Sequence, residues 1–125
     1  MEIKLTDEES IKLFYNSLCN GLGHFSGYGL MFQYDNNEYR ESRSKLTEPC
    51  WEDVLIQMIR DGYKLTMKDI EGDGEYTRSI TLKDIIERVP KSQARSLINI
   101  HNKEADMWDY DHVLQIVFFE DIIFG

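Results

Sequence analysis

Basic residues are scarce in this chain, and their shortage sets the first limit on its function. The 125 residues include 14 Lys and Arg against 23 Asp and Glu, which gives a net charge of −9. Nonspecific binding to nucleic acids or anionic membranes needs Lys and Arg to engage the phosphates. The sequence therefore disfavours both ligands, and it suits a protein partner with a basic surface or simply solubility.

Cysteine, histidine and long apolar runs are also scarce. Cys19 and Cys50 are 31 residues apart and the three histidines are scattered, so the paired spacing of a zinc site is absent. The N-terminal Met-Glu-Ile-Lys is not an apolar leader, and no run reaches the roughly 18 apolar residues of a membrane-spanning helix. We expect a cytoplasmic protein with reduced, semi-buried thiols and no metal or cofactor.

Recognisable catalytic motifs are missing as well. The Gly-rich stretch 21–29 follows a predicted helix and precedes a predicted strand, which reverses the order of a phosphate-binding loop, and it lacks Gly-Lys-Ser/Thr. Cys19 and His24 are close in sequence at the end of that helix, but nothing marks either side chain as activated. The sequence therefore predicts no catalytic residues and a protein that is not an enzyme.

Helix signals are clear over much of the chain, which reads as a single domain covering residues 1–125. Thr6 and Glu9 have the capping-box spacing, and Thr81 and Asp84 repeat it. Apolar residues recur at three- and four-residue steps behind these caps. The predicted helices cover residues 7–20, 49–61, 82–89, 92–102 and 109–124.

Alternating apolar residues predict two antiparallel hairpins between these helices. The first runs through 28–34 and returns through 39–45, although the Glu, Arg and Ser content of the return segment also allows a helix. The second joins 63–68 to 75–80 through a Gly-rich turn. The predicted fold class is therefore α+β, with both hairpins in one sheet packed by about five helices, the last of them buried.

The acidic loop 69–76 begins like a calcium-binding loop, with oxygen-bearing side chains at positions one, three and five and glycine at position six. Position twelve is Ile80 where a bidentate Glu is needed, and the flanks alternate like strands. The sequence therefore favours a hairpin turn with acidic, solubilising side chains, and weak calcium binding is the alternative.

The segment from Glu104 to Gly125 has six acidic residues, no Lys or Arg, and apolar side chains around nearly the whole predicted helix. Such a helix is buried, either as the core of this domain or partly against a second copy in a homodimer. Glu120 and Asp121 oppose the helix dipole, which indicates a basic group nearby. The aromatic residues that would serve self-association are Trp108, Phe118, Phe119 and Phe124.

Four segments in the latter part of the chain form a recognisable pattern, and they are 52–55, 61–62, 80–84 and 113–125. These segments resemble uncharacterised small acidic proteins of gut-bacterial genomes, phages and mobile elements. The resemblance brings no catalytic residues. It implies that the chain is an accessory protein that acts by binding a host protein.

We therefore expect a non-enzymatic, acidic protein-binding domain. In its most specific form it inhibits a host nucleic-acid-binding defence protein by presenting carboxylates where that protein expects phosphates. One alternative is a small-molecule or divalent-metal-binding protein, with an enzyme as one form of it, built around the His24 loop and the strand Tyr28–Tyr34. The other is a plain self-associating accessory protein. The carboxylates expected to contact a partner are Asp69, Glu71, Asp73, Glu75, Asp106, Asp109 and Asp111.

Overall fold

The computed structural model describes residues 4–124, which form six helices and one three-stranded antiparallel sheet. The predicted α+β class is confirmed. The helices are α1 (Asp7–Gly21), α2 (Asn36–Ser44), α3 (Trp51–Arg60), α4 (Leu82–Arg88), α5 (Ala94–His101) and α6 (Met107–Phe119). The strands are β1 (Leu30–Gln33), β2 (Leu65–Asp69) and β3 (Arg78–Ile80). Short 3₁₀ turns, Leu22–His24 and Val89–Lys91, follow α1 and α4.

The predicted capping boxes are present and fix where two helices begin. The Thr6 hydroxyl accepts from the Glu9 amide at 3.1 Å, and the Glu9 carboxylate accepts from the Thr6 amide at 2.9 Å. Thr81 and Asp84 make the same exchange at the start of α4. Each box satisfies amides that the first helical turn leaves without partners.

The sheet has the order β1-β2-β3 and packs against the helices on one face. Leu30 lies opposite Asp69, and Leu65 lies opposite Ile80. The inward side chains Leu30, Leu65 and Ile80 are buried, whereas Met31 on the opposite face is 56% exposed. The predicted second hairpin is thus the β2–β3 pair, and β1 adds to it as an outer strand.

The return strand predicted at 39–45 is wrong, because this segment belongs to α2. Asp35 caps the helix by accepting from the amides of Asn37 at 2.8 Å and Glu38 at 3.0 Å. The ring of Tyr39 in the first turn stacks on Tyr34 with a centroid distance of 4.9 Å. The turn residues expected to reverse the chain into a strand instead start a helix, so β1 pairs with β2.

The last helix ends at Phe119 and not at Phe124 as predicted. Glu120 has a left-handed backbone with a φ of 62°, which stops the helix. Arg88 is the basic group expected nearby, since its Nε lies 3.1 Å from Glu120 and its Nη1 donates to the Val117 carbonyl at 2.7 Å. α6 is a core helix, and no helix among residues 4–124 is long and apolar enough to cross a membrane.

Both cysteines are free thiols in the described part of the chain, and both are exposed instead of semi-buried as expected. Cys50 precedes α3, and its Sγ lies 3.7 Å from the Tyr15 hydroxyl. That hydroxyl donates to Asp53 at 2.8 Å, which lowers the pKa of the Asp53 carboxyl. The Cys50 thiol therefore lies beside the Tyr15 hydroxyl, which already donates its hydrogen bond to the Asp53 carboxylate.

A carboxylate at the end of α3 ties this helix to α2. Asp61 accepts from the hydroxyl of the fully buried Ser42 at 2.8 Å and from Gln57 Nε2 at 2.9 Å, and Lys45 Nζ lies 3.0 Å away. Burial alone raises the pKa of Asp61, but these hydrogen bonds and the lysine outweigh it and hold the pKa below its ordinary value.

Replacing this carboxylate in Asp61→Ala is expected to lower the free energy of unfolding by about 1–3 kcal/mol at neutral pH, because the Ser42 hydroxyl then has no acceptor. Since folding lowers the Asp61 pKa, its contribution is present above the unfolded pKa and is lost as pH falls through the folded pKa. Urea unfolding at neutral and acidic pH measures both effects. Glu75→Ala, at an exposed loop position, is the control, and a destabilisation by Asp61→Ala that is equal at both pH values would contradict the assignment.

Candidate functional site

The C-terminal end of α1 and the first half of α6 come into direct backbone contact, and this approach creates the site. A Cβ at Gly21 would lie 2.8 Å from the backbone carbon of Tyr110 and 2.9 Å from the amide of Asp111. Only glycine allows the two helices to lie this close. The 3₁₀ turn that follows then places His24 beside Asp111 and Trp108 of α6.

Asp111 is the centre of the site and has no solvent exposure. Its Oδ2 accepts from the Tyr28 hydroxyl at 3.0 Å, and its Oδ1 accepts from Gln115 Nε2 at 2.6 Å. His24 Nδ1 lies 3.4 Å from Oδ2. An ionised carboxylate without partners is strongly disfavoured in a protein interior, so these three groups keep Asp111 in place.

His24 lies in front of this carboxylate with 29% of its side chain exposed. Its Nδ1 is buried and, despite the short distance to Asp111, lacks the alignment of a hydrogen bond. The ring packs against Trp108 with a centroid distance of 4.2 Å. The approach to Asp111 is therefore not a hydrogen bond, it is an ion pair only if the imidazole is protonated, and part of the ring remains exposed.

Tyr28 completes the polar centre from the turn that precedes β1. Burial raises its pKa to about 12, and the nearby charge of Asp111 and the hydrogen bond to that carboxylate add to the rise. The hydroxyl consequently remains a proton donor throughout the physiological range. It holds one side of Asp111 while the imidazole stays next to the same oxygen.

Gln115 connects the buried carboxylate to the end of the described chain. Its Oε1 accepts from the amides of Ile123 and Phe124, each at 2.9 Å, and its Nε2 donates to the Phe124 carbonyl at 3.0 Å as well as to Asp111. The ring of Phe124 stacks on Tyr28 at 4.6 Å with an interplanar angle of 10°. One side-chain amide therefore holds both the carboxylate and the C-terminal segment.

A polar cleft of about 280 Å³ opens between α5 and the start of α6, next to this centre. Trp108, which is 43% exposed, and His112 supply its aromatic groups. Three carboxylates and one guanidinium also line it, so the cleft is acidic in balance. These four residues are Glu104, Asp106, Asp109 and Arg95.

The two predicted acids at the start of α6 serve the fold as well as the cleft. Asp106 caps α6 by accepting from the Asp109 amide at 3.1 Å, and it remains exposed. Asp109 accepts from Ser96 Oγ at 3.0 Å, Asn99 Nδ2 at 3.2 Å and the Asp106 amide at 3.2 Å. Asp109 thereby fastens α5 to α6, and Asp106 is the freer of the two carboxylates.

The acids predicted on the hairpin turn have different roles. Asp69 is only 7% exposed, and its carboxylate accepts from the amides of Gly72 at 3.0 Å and Tyr76 at 3.3 Å. It therefore organises the β2–β3 loop from inside and is not free to contact a partner. Glu71, Asp73 and Glu75 are exposed. Among residues 4–124, no group of three or more His, Cys, Asp or Glu side chains is placed to hold a metal ion.

Asp111 must also be removed from the predicted partner-contact set, because it is buried behind His24 and Tyr28. The predicted self-association residues are divided in the same way. Phe118 is 1% exposed and packs between Phe14 and Phe32, so it belongs to the core and not to an interface. Phe119 and Phe124 are half-buried and contact each other at 5.8 Å, and Trp108 alone of the four is open.

The sequence singles out His24, the strand predicted to begin at Tyr28, and Asp111 separately, and it does not predict that they meet. Tyr28 and Asp111 are 83 positions apart, so no local pattern joins them. One signal was present: Asp111 and Gln115 share a helical face with Leu114 and Phe118, which places two polar side chains on a buried stripe. Polar residues at such positions require partners and mark an internal network.

Comparisons with known protein families, with curated proteins and with solved structures find no match to this chain. The geometry of the site is therefore the basis for the functional proposal.

Removing the charge of Asp111 in Asp111→Asn is expected to lower the pKa of Tyr28 from about 12 while leaving it above its ordinary 10.0, since burial is the larger cause. An NMR titration with ¹³C-labelled tyrosine, with amide spectra recorded to verify folding, measures the change. Tyr39, whose pKa is raised mainly by burial, is the control within the same spectra. An unaltered Tyr28 midpoint would show that the carboxylate does not act on it.

Replacing the amide in Gln115→Leu is expected to speed hydrogen exchange at Ile123 and Phe124, because both amides lose their acceptor. The free energy of unfolding is expected to fall by about 1–3 kcal/mol, since Asp111 also loses a donor. Hydrogen exchange followed by NMR measures the exchange rate of each of these amides. Gln93→Leu, at an exposed position, is the matched control, and unchanged exchange at 123 and 124 would mean that packing of Phe124 alone holds the segment.

Proposed function

We propose that this chain is a non-enzymatic domain that binds a basic protein partner, and that the cleft between α5 and α6 is part of the contact. The observation that carries the proposal is Trp108, a large aromatic side chain left 43% exposed at the edge of an acidic cleft. Tryptophan is enriched among the residues that dominate binding energy in protein interfaces. A neighbouring exposed side chain, Met107, extends the apolar area.

The cleft has the chemistry to receive an Arg or Lys side chain. An indole face attracts a cation, and carboxylates on the same cleft form charge-assisted hydrogen bonds with a guanidinium or ammonium group. Glu104, Asp106 and Asp109 outnumber Arg95 there. The net charge of −9 extends the attraction beyond the cleft and favours rapid association with a basic surface.

The narrower form of this proposal is an inhibitor of a host nucleic-acid-binding defence protein, encoded by a phage or mobile element and acting by charge mimicry. Its support is the acidic surplus together with the exposed carboxylates Glu71, Asp73, Glu75 and Asp106. Asp69 and Asp111 take no part, because their oxygens are occupied within the fold. In this form, the partner would release the protein when nucleic acid is added.

A second candidate function is small-molecule binding at His24, and one observation favours it. The partly exposed imidazole lies in front of the buried Asp111, so a ligand at this position would meet an imidazole with a carboxylate behind it. Thermal unfolding in the presence of divalent ions and nucleotides tests this candidate, since a ligand of the folded state raises the melting temperature by mass action.

Affinity capture from a host lysate tests the main proposal. The wild-type protein is expected to retain a basic partner at low salt and to lose it at high salt, because exposed charges are screened. Trp108→Ala is expected to reduce capture by about ten-fold or more, the usual effect of removing an interface anchor. Asp106→Asn keeps the helix cap while removing a charge, so it is expected to weaken capture without unfolding α6.

Ile98→Ala is the matched control, because Ile98 is 50% exposed on α5 and is not among the residues that line the cleft. Mass spectrometry quantifies the captured proteins for each variant. Capture that resists high salt and is unaffected by Trp108→Ala would contradict the proposal. Release of the partner by added nucleic acid would extend it to the charge-mimic form, whereas retention would limit it to protein binding.

A further inference from the structure

The outer edge of β1 is an unpaired strand edge that is separate from the cleft between α5 and α6. β2 pairs with one side of β1, and no strand among residues 4–124 pairs with the other. Charged side chains and proline are two of the features that keep edge strands from further pairing. β1 has the sequence Leu-Met-Phe-Gln and has neither. The three-residue β3 at the opposite edge does carry a charge, on Arg78.

The hydrogen-bond pattern of the sheet shows which groups of β1 face outward. Ile70 donates its amide to the Gly29 carbonyl at 2.8 Å, so the backbone groups of the alternate positions 31 and 33 also face β2. Antiparallel pairing alternates, and the backbone of Phe32 therefore points away from β2. The Leu30 amide follows the same rule, since it donates outward to the Phe25 carbonyl at 3.0 Å.

A shallow recess of about 370 Å³ lies beside this outward edge. Phe32, Tyr34 and Trp51 form its aromatic part, and Met31, Gln33 and Asn36 complete the lining. The rings of Phe32 and Trp51 meet edge-on at 5.5 Å, and the indole Nε1 donates to the Tyr34 hydroxyl at 3.1 Å. The recess is thus an aromatic surface adjoining a free backbone donor and acceptor.

We propose that β1 accepts an extended segment of a different protein as a fourth, antiparallel strand, with a large apolar side chain opposite Phe32. In such a pair the residue opposite Phe32 exchanges both backbone hydrogen bonds with it, and its side chain projects to the same face of the sheet. The Phe32 side chain on that face lines the recess, which also extends to Met31 and Gln33 of the opposite face. The free amide and carbonyl of Phe32 define the register, and the aromatic recess selects the side chain.

The occupant is a foreign segment of neutral or basic charge, and not a second copy of this chain. Each copy has a net charge of −9, so pairing two copies brings like charges together. Carboxylates also flank the strand: Asp35 follows it closely in the chain, and Glu71 lies against Gly29 just before its start. Basic residues at either end of an added segment would meet these acids.

A displayed library of random heptapeptides selected on the intact protein supplies the probe. The most enriched peptide is then synthesised and added to ¹⁵N-labelled protein. Its binding is expected to slow hydrogen exchange of the Phe32 amide markedly, because that amide gains an acceptor. The amides of Met31 and Gln33 serve as controls in the same experiment, since they already face β2 and are expected to change little.

N-methylation of the Phe32 amide removes the outward donor while leaving the side chain and the pairing with β2 intact. Cys19 and Cys50 bracket the residue and provide ligation points for making this protein by chemical synthesis. The peptide is expected to bind about ten-fold more weakly or worse, as expected for a lost hydrogen bond with a methyl group at the edge. Trp51→Ala removes an aromatic side chain from the recess. It is expected to weaken peptide binding without altering the Phe32 amide.

Trp108→Ala is expected to leave peptide affinity unchanged, which separates this proposal from the one for the α5–α6 cleft. A peptide that binds without protecting the Phe32 amide, or that loses affinity in Trp108→Ala, would overturn the inference. Failure to enrich any peptide would also overturn the inference. Concentration-dependent dimerisation that protects the Phe32 amide without peptide would show that a second copy occupies the edge, and it would also overturn the inference.

Discussion

A carboxylate buried without exposure needs hydrogen-bond donors, and Asp111 takes its two donors from separate parts of the chain. The Tyr28 hydroxyl reaches it from the turn before β1, and Gln115 Nε2 reaches it from the next turn of α6. His24 Nδ1, in the 3₁₀ turn after α1, lies beside the carboxylate without a hydrogen bond. The carboxylate therefore specifies how the helix pair, the sheet and the C-terminal segment meet. The close approach allowed by Gly21 is the steric condition for this arrangement, because it brings α1 against α6 at the same place.

Many of the acidic side chains that give the chain its negative charge accept hydrogen bonds within the fold. Asp35, Asp69 and Asp106 each accept from backbone amides at the start of a helix or inside a loop. Asp61 and Asp109 bind side chains on a neighbouring helix. A carboxylate held in this way is partly neutralised by N–H dipoles and is fixed in direction. The net charge consequently overstates the number of acids that a partner can meet freely, and position in the structure decides which remain.

Local signals predicted the helices well, because caps and apolar periodicity act over three or four residues. The capping box at Thr6 and the β2–β3 hairpin are examples, and the α+β class follows from them. The error at α2 arose because Asp35-Asn36-Asn37 suits either a turn or a helix start, and packing against α3 made the choice. The end of α6 was misplaced because the apolar run continues past Phe119, while the reversal at Glu120 depends on Arg88 and Gln115. The site combines residues from distant segments, so its geometry required the tertiary structure.

Gln115 offers an acceptor to Ile123 and Phe124 and a donor to the Phe124 carbonyl, which is what a neighbouring backbone would normally provide. The last described residues are thus attached through one side chain and the ring of Phe124, without a ladder of main-chain bonds. Such a segment is a small unit of local unfolding, whose opening free energy can lie well below that of the whole domain. Each opening would admit water beside Asp111. Such an opening would therefore change the electrostatic environment of His24.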